Sequence, residues 1–149
     1  MVKLRTILII SLIITGCATP RRYAIPRHQQ PKKVMMEATG YCKCGICCGW
    51  KRNWLFQPVV AYGENKGKPK EVGITASGTR AKPGTIAADT RYYPFGTIMY
   101  VPGYGWGRVE DIGSAIKGKR IDLFFSSHQK ALEWGRQRKE VLVYPPLRK

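Results

Sequence analysis

The chain contains three aspartates, Asp89, Asp111 and Asp122, and each lies in or closes an apolar run: Ile86-Ala87-Ala88-Asp89, Val109-Glu110-Asp111 and Ile121-Asp122-Leu123. Aspartate is disfavoured inside strands, so three carboxylates placed this way concentrate charge at a point rather than spread it. If they converge, repulsion and partial burial raise the pKa of at least one. A carboxylic acid still protonated near neutral pH can protonate a glycosidic oxygen, while an ionised neighbour steadies an oxocarbenium-like centre. Taken singly, each Asp is explained as a turn cap or as the partner of one of 26 Lys and Arg. With 2 His in the whole chain, a His-built metal hydrolase or a Ser-His-Asp enzyme has almost nothing to draw on. No cofactor is expected.

The second group with chemistry is Cys42-Lys-Cys44-Gly-Ile-Cys47-Cys48. In an oxidising compartment two disulfides are the expectation, and four cysteines allow three pairings. A tetrathiolate zinc site is the alternative, although the C-x-C-x-x-C-C spacing is not the usual paired C-x-x-C. A redox-active pair comes third, because the segment lacks a strand-to-helix context that lowers a thiol pKa. No metal is expected, and the cluster is assigned the task of pinning the loop after the first strand.

The elements that must position these groups are short. Candidate strands are Val34–Tyr41, Val72–Ala76, Thr85–Ala88, Thr97–Val101, Arg108–Ile112, Ile121–Phe125 and Glu140–Tyr144, most of them bounded by Gly or Pro. One helix is expected over Ser127–Trp134, capped by Ser126 with Gln129 and stopped by Gly135. With 16 Gly and 10 Pro in 149 residues, the chain reads as one domain. It is expected to be mainly β: a small closed barrel with one short helix packed on it, closure removing exposed edges. The stretch 53–70 reads as an excursion from the barrel.

The N-terminal residues read as targeting rather than fold. Lys3 and Arg5 precede an apolar run, Ile7–Ile14, too short to span a membrane. Ile14-Thr15-Gly16-Cys17 resembles a bacterial lipobox. The resemblance implies a signal peptide at 1–16, cleavage before Cys17 and acylation of that residue, with sorting to an outer membrane where one exists. Residues 17–33, with Pro20, Pro26 and Pro31, read as the lipid anchor and tether, and 34–149 as the barrel domain. A net charge of +17 ordinarily suggests nucleic acid. An exported chain meets lipid headgroups, wall polymers and stem-peptide carboxylates instead, so no nucleic-acid partner is expected.

The segments Ala38-Thr-Gly-Tyr41, Thr75-Ala-Ser-Gly-Thr79, Thr85-Ile-Ala-Ala-Asp89, Pro94-Phe-Gly-Thr97, Asp111-Ile-Gly-Ser-Ala-Ile-Lys-Gly118 and Arg120-Ile-Asp122-Leu-Phe-Phe125 together resemble the 3D (three-aspartate) domain. That domain is shared with the membrane-bound lytic transglycosylase A family. The resemblance implies a double-psi β-barrel acting on peptidoglycan glycan strands as a monomer. It implies cleavage of the MurNAc–GlcNAc β-1,4 bond with 1,6-anhydro-muramoyl product, and the acid/base role falls on Asp122, with Asp111 and Asp89 as partners. Thr39, Tyr41, Lys117 and Trp106 are the substrate-binding candidates, Trp106 chosen over Trp50, Trp54 and Tyr104 because it stands between Gly105 and Gly107. The chain departs from that pattern in two ways: Ser114 stands where the motif has its second Gly, and the Cys-rich insert after Tyr41 belongs to only a subset of such domains; the larger family's groove-forming second domain is also missing. The rival reading is an expansin-like module that binds the wall without cleaving it.

Overall fold

The computed structural model describes residues 29–146; the expected signal peptide, the Cys17 anchor and most of the tether lie outside them. Six strands close a barrel in the order β1-β7-β4-β6-β5-β8. They are β1 (Lys32–Tyr41), β4 (Thr85–Ala88), β5 (Ile98–Val101), β6 (Gly105–Asp111), β7 (Arg120–Phe124) and β8 (Gln137–Tyr144). A one-turn helix α1 (Gly45–Cys48) and a hairpin of β2 (Trp50–Arg52) and β3 (Pro58–Val60) stand outside the barrel, and α2 (His128–Trp134) packs on it.

Two pairings are parallel, β1 with β7 and β4 with β6, and the other four are antiparallel. Exchanging β1, β4, β5 with β6, β7, β8 carries this ring of neighbours onto itself, parallel pairs onto parallel pairs. The barrel is therefore two interlocked three-strand halves, the double-psi arrangement. Because strand side chains alternate between faces, Ala38, Ile86, Ala88, Val109, Ile121 and Leu123 point inward. With Met36, Met99, Val101, Val141 and Val143 they form the core. The residues between them face outward.

Four expectations need correction. Strand β1 begins at Lys32, ahead of the expected Val34. Val72–Ala76 is not a strand; its only ladder contact is the isolated bridge Ile74↔Arg80. Thr75 instead folds into a turn, its hydroxyl within 2.9 Å of Thr79 Oγ1 and 3.1 Å of Ser77 Oγ, a competing local bond pattern typical of Ser and Thr. The α2 cap is Ser127 rather than Ser126, its side chain accepting from Lys130 N, and Gly135 ends the helix as expected. The fourth concerns the cysteines and is described with the site.

Helix α2 lies so close to β1 that a Cβ on Gly40 would stand 2.9 Å from the Ala131 carbonyl oxygen. Ala131 is buried, Trp134 Nε1 donates to the Ala38 carbonyl at 3.4 Å, and the Trp134 ring packs on Tyr104 and Phe125. Tyr104, a sugar-stacking candidate, is structural: it accepts from Gly84 N and donates to the Phe124 carbonyl, both at 2.8 Å.

Candidate functional site: two carboxyls in an outer cleft

The register places Thr39 opposite Asp122, Asp122 opposite Ala87, and Ala87 opposite Asp111. Four neighbouring strands thus carry Thr39, Asp122, Ala87 and Asp111 in one row on the barrel's outer face. Simple alternation does not give this. Val109 points into the core, so Asp111 two residues on would follow it inward. A register shift in the β4/β6 pairing, between Ile86 and Ala87, passes over Glu110 and brings Asp111 opposite Ala87. A bulge re-aims a side chain in this way. Glu110 itself is buried and satisfied, accepting from Thr85 Oγ1 at 2.8 Å and from Arg108 Nε at 2.9 Å.

Under the exchange of barrel halves, Thr39 maps onto Asp111 and Ala87 onto Asp122. One half carries the neutral version of the pair and the other the acidic one.

The two carboxyls are held differently. Asp111 Oδ2 accepts from the Tyr41 hydroxyl at 2.9 Å, and Oδ1 accepts from Ala76 N and Ile112 N, both at 3.0 Å. The turn around Thr75 is thereby hooked to β6, with Ser77 N donating to the Glu110 carbonyl at 3.0 Å as a second tie. Asp122 Oδ1 accepts from Thr39 Oγ1 at 2.9 Å. Burial pushes the Asp122 carboxyl above the usual aspartate range and the charge of Asp111 adds to the rise, against the bonds from Thr39 and Leu123 N. Burial and the Asp111 charge likewise push the Tyr41 phenol far up, so it stays protonated and remains a donor. Tyr41 also packs edge-on against Phe124, centroids 5.3 Å apart.

Both carboxyls line an open cleft of about 980 Å³. Its other walls include Tyr41 and Phe124 from the barrel, Cys48 and Trp50 from the Cys-bearing segment, and Tyr62 beyond β3. Trp50 is positioned by its indole N–H donating to the Lys43 carbonyl at 3.0 Å.

The other sequence candidates fall elsewhere. Asp89 does not line the cleft. It is buried and accepts from Arg91 Nε at 3.0 Å, Arg91 Nη2 at 2.8 Å and Gly118 N at 3.0 Å. Those donors, Arg91 first, hold its carboxyl far below the usual range. Asp89 latches the loop that follows Asp111. Lys117 is exposed and outside the cleft. Trp106 is half-buried against Tyr100 and Tyr144, with centroids 5.1 and 5.7 Å away, and also outside it; Trp54, at 85 % exposure, is the open tryptophan. Thr39 reaches the site through its bond to Asp122.

The four described cysteines, Cys42, Cys44, Cys47 and Cys48, are free. Cys42 Sγ and Cys47 Sγ are 3.8 Å apart, well beyond the ~2.05 Å of a disulfide, and neither of the two expected disulfides is formed. Cys48 points away from the other three, donating to the Cys42 carbonyl at 3.1 Å. Burial pushes its thiol up to about 11, which leaves it no thiolate to act with at neutral pH. Sequence reasoning missed His128, whose Nδ1 lies 3.6 Å from Cys44 Sγ and 3.4 Å from Cys47 Sγ. The available signal was the parallel run of two strands: Tyr41 pairs with Phe124, so the segments leaving β1 and β7 emerge at the same end of the barrel.

Comparison with known proteins adds three findings. Residues 84–145 match the family model described as the 3D domain; the match takes in β4 to β8 of the barrel and both cleft aspartates but not β1 or the cysteines. Over 75 residues the chain is 37% identical to "Putative cell wall shaping protein YabE" of Bacillus subtilis (strain 168), covering 48% of this chain and 18% of that protein. Over 78 residues it is 38% identical to "Cell wall-binding protein YocH" of the same organism, covering 51% and 27%. The chain thus spans less than a third of either relative. Among solved structures, MltA from Escherichia coli superposes with a TM-score of 0.42 at 20% identity, over 54% of this chain and 30% of that one. Its complex with chitohexaose gives 0.41 at 17%, over 49% and 28%.

Proposed function

We propose that this chain, with a 3D domain at residues 84–145, works on peptidoglycan in the cell envelope as a lytic transglycosylase cleaving the MurNAc–GlcNAc β-1,4 bond. The observation that carries the reading is Asp122: a carboxyl raised by burial and by the neighbouring Asp111 charge, on the wall of a cleft large enough for a glycan. The names of the two Bacillus subtilis relatives support the wall as the substrate surface.

In this mechanism Asp122 gives its proton to the glycosidic oxygen as the bond to C1 breaks. Positive charge develops on the sugar beside Asp111, which Tyr41, Ala76 and Ile112 hold in place. Asp122, now a carboxylate, takes the proton of the muramoyl C6 hydroxyl as that oxygen attacks C1 and closes the 1,6-anhydro ring. The proton count returns to its start and no water is consumed. Trp50 and Tyr62 offer ring faces to the sugars. Asp89 acts at a distance by fixing the loop beyond Asp111. The proposed setting is an envelope lipoprotein, monomeric and anchored through Cys17, with no nucleic-acid partner and no cofactor in the reaction. Cys17→Ala should then leave the membrane fraction after a salt wash, and retention of that variant would reject the anchor.

The deciding experiment is mass spectrometry of sacculi digested with the purified protein. Wild type should release anhydro-muropeptides. Asp122→Asn keeps the shape but moves no proton, so release should fall about 10²–10⁴-fold, the usual worth of a general acid–base group, with sacculus binding retained. Reducing-end muropeptides would instead identify a hydrolase, and binding without soluble product a wall-binding module. Full activity in Asp122→Asn with none in Asp111→Asn would move the acid/base role to Asp111.

A further inference from the structure

We propose that Cys42, Cys44, Cys47 and His128 form a closed tetrahedral site for one zinc ion. The three sulphurs and a ring nitrogen all lie within 4.8 Å of one another. A tetrahedral centre with Zn–S of about 2.3 Å and Zn–N of about 2.0–2.1 Å needs ligand edges of about 3.8 Å between sulphurs and about 3.5 Å from sulphur to nitrogen. The edges here are 3.8 Å for Cys42 to Cys47, and 3.6 and 3.4 Å from Cys44 and Cys47 to His128 Nδ1.

The backbone around the sulphurs is arranged for thiolates. Cys44 N donates to Cys42 Sγ at 3.4 Å, and Cys47 N to Cys44 Sγ at 3.5 Å. Cys44 is the N-cap of α1, and the turn closes through Gly49 in the left-handed region at φ 61°. Such bonds spread charge that three sulphurs would otherwise hold against each other. Three thiolates and an imidazole favour zinc over the harder cations, and four protein ligands leave no open position, so the ion is structural rather than reactive. Cys48 is excluded, because its sulphur turns to the Cys42 carbonyl and the cleft.

The consequence is local and specific. His128 opens α2, which is packed on β1, while the cysteines begin the segment that delivers Cys48, Gly49 and Trp50 to the cleft. The ion would tie that wall to α2, adding to the packing of Cys47 and Cys48 on the Tyr41, Ala87 and Phe124 cluster of the barrel.

The test uses the full chain, purified under reducing conditions and titrated with Co²⁺, then Zn²⁺. One equivalent of Co²⁺ should bind with tetrahedral d–d bands and thiolate charge transfer, and Zn²⁺ should displace it. Cys48→Ser should keep the full equivalent and the same bands. His128→Ala should lose the bands or the equivalent, and His128→Cys should restore one equivalent with a shifted spectrum, which separates loss of a ligand from loss of fold. A folded wild type that takes up no metal, a Cys48→Ser variant that loses it, or a His128→Ala variant with unchanged bands would each overturn the site. So would a Cys42–Cys47 disulfide persisting after reduction and refolding with Zn²⁺. Because metal uptake is read without any glycan, the result stands apart from the test of transglycosylase activity.

Discussion

Asp122 sits where its own charge is unwelcome, and that has a measurable sign. A carboxyl raised on folding contributes stability that is complete below the ordinary Asp value of about 3.9 and is lost as pH rises through the folded value. Asp122→Asn, uncharged at every pH, should therefore raise Tm near neutrality, and the gain should vanish at about pH 3 and below. Asp89 has the opposite sign, since Arg91 and Gly118 N hold it far below the usual range. Its stabilisation is present above the ordinary value and fades as pH falls through the folded one. Asp89→Asn should lower Tm at neutrality, with the deficit closing in acid. Thermal melts of both variants over a pH series check the pair, and parallel curves would refute the assigned environments. The same environments predict that glycan cleavage falls as pH rises and Asp122 loses its proton.

At the scale of elements, β1 serves both the packing of α2 and the cleft. Thr39 and Tyr41 turn to the two carboxyls, while Gly40 between them admits α2. Gly40→Ala forces the helix away and should cost about 1–3 kcal/mol, as overpacking does, and Ser127→Ala, removing the α2 cap, about 1 kcal/mol; urea melts report both. The strands were legible because Gly and Pro bracket short apolar runs, and Thr85–Ala88 matches to the residue. Val72–Ala76 misled because its branched residues suit a strand, yet the Thr75 hydroxyl ties it into a turn that Asp111 then holds. Asp111 and Asp122 were identifiable from type and motif. Their convergence was not, since it depends on the irregular pairing at Glu110. His128 was missed for a related reason: it meets Cys44 and Cys47 from 84 and 81 residues further along the chain.

At the scale of the molecule, 26 basic against 9 acidic residues give a field that draws the protein to anionic surfaces. Screening shortens from about 10 Å at 0.1 M salt to about 3 Å at 1 M, so sacculus binding should weaken several-fold over that range in a pelleting assay. Binding that ignores salt would assign the main contact to Trp50 and Tyr62 in the cleft. On the proposed function, anionic wall polymers would gather the protein and the cleft would hold a strand.

The parallel pairing of β1 with β7 also sets an order in time. Thr39 meets Asp122 only when partners 83 residues apart in the chain come together, and such distant closures are late events in folding. A ribosome that has not yet delivered Asp122 has made a chain with Thr39, Tyr41 and Asp111 but without the proposed acid, and β8 must still arrive to seal the ring. In refolding, recovery of glycan cleavage should coincide with the last kinetic phase rather than with the first appearance of β structure.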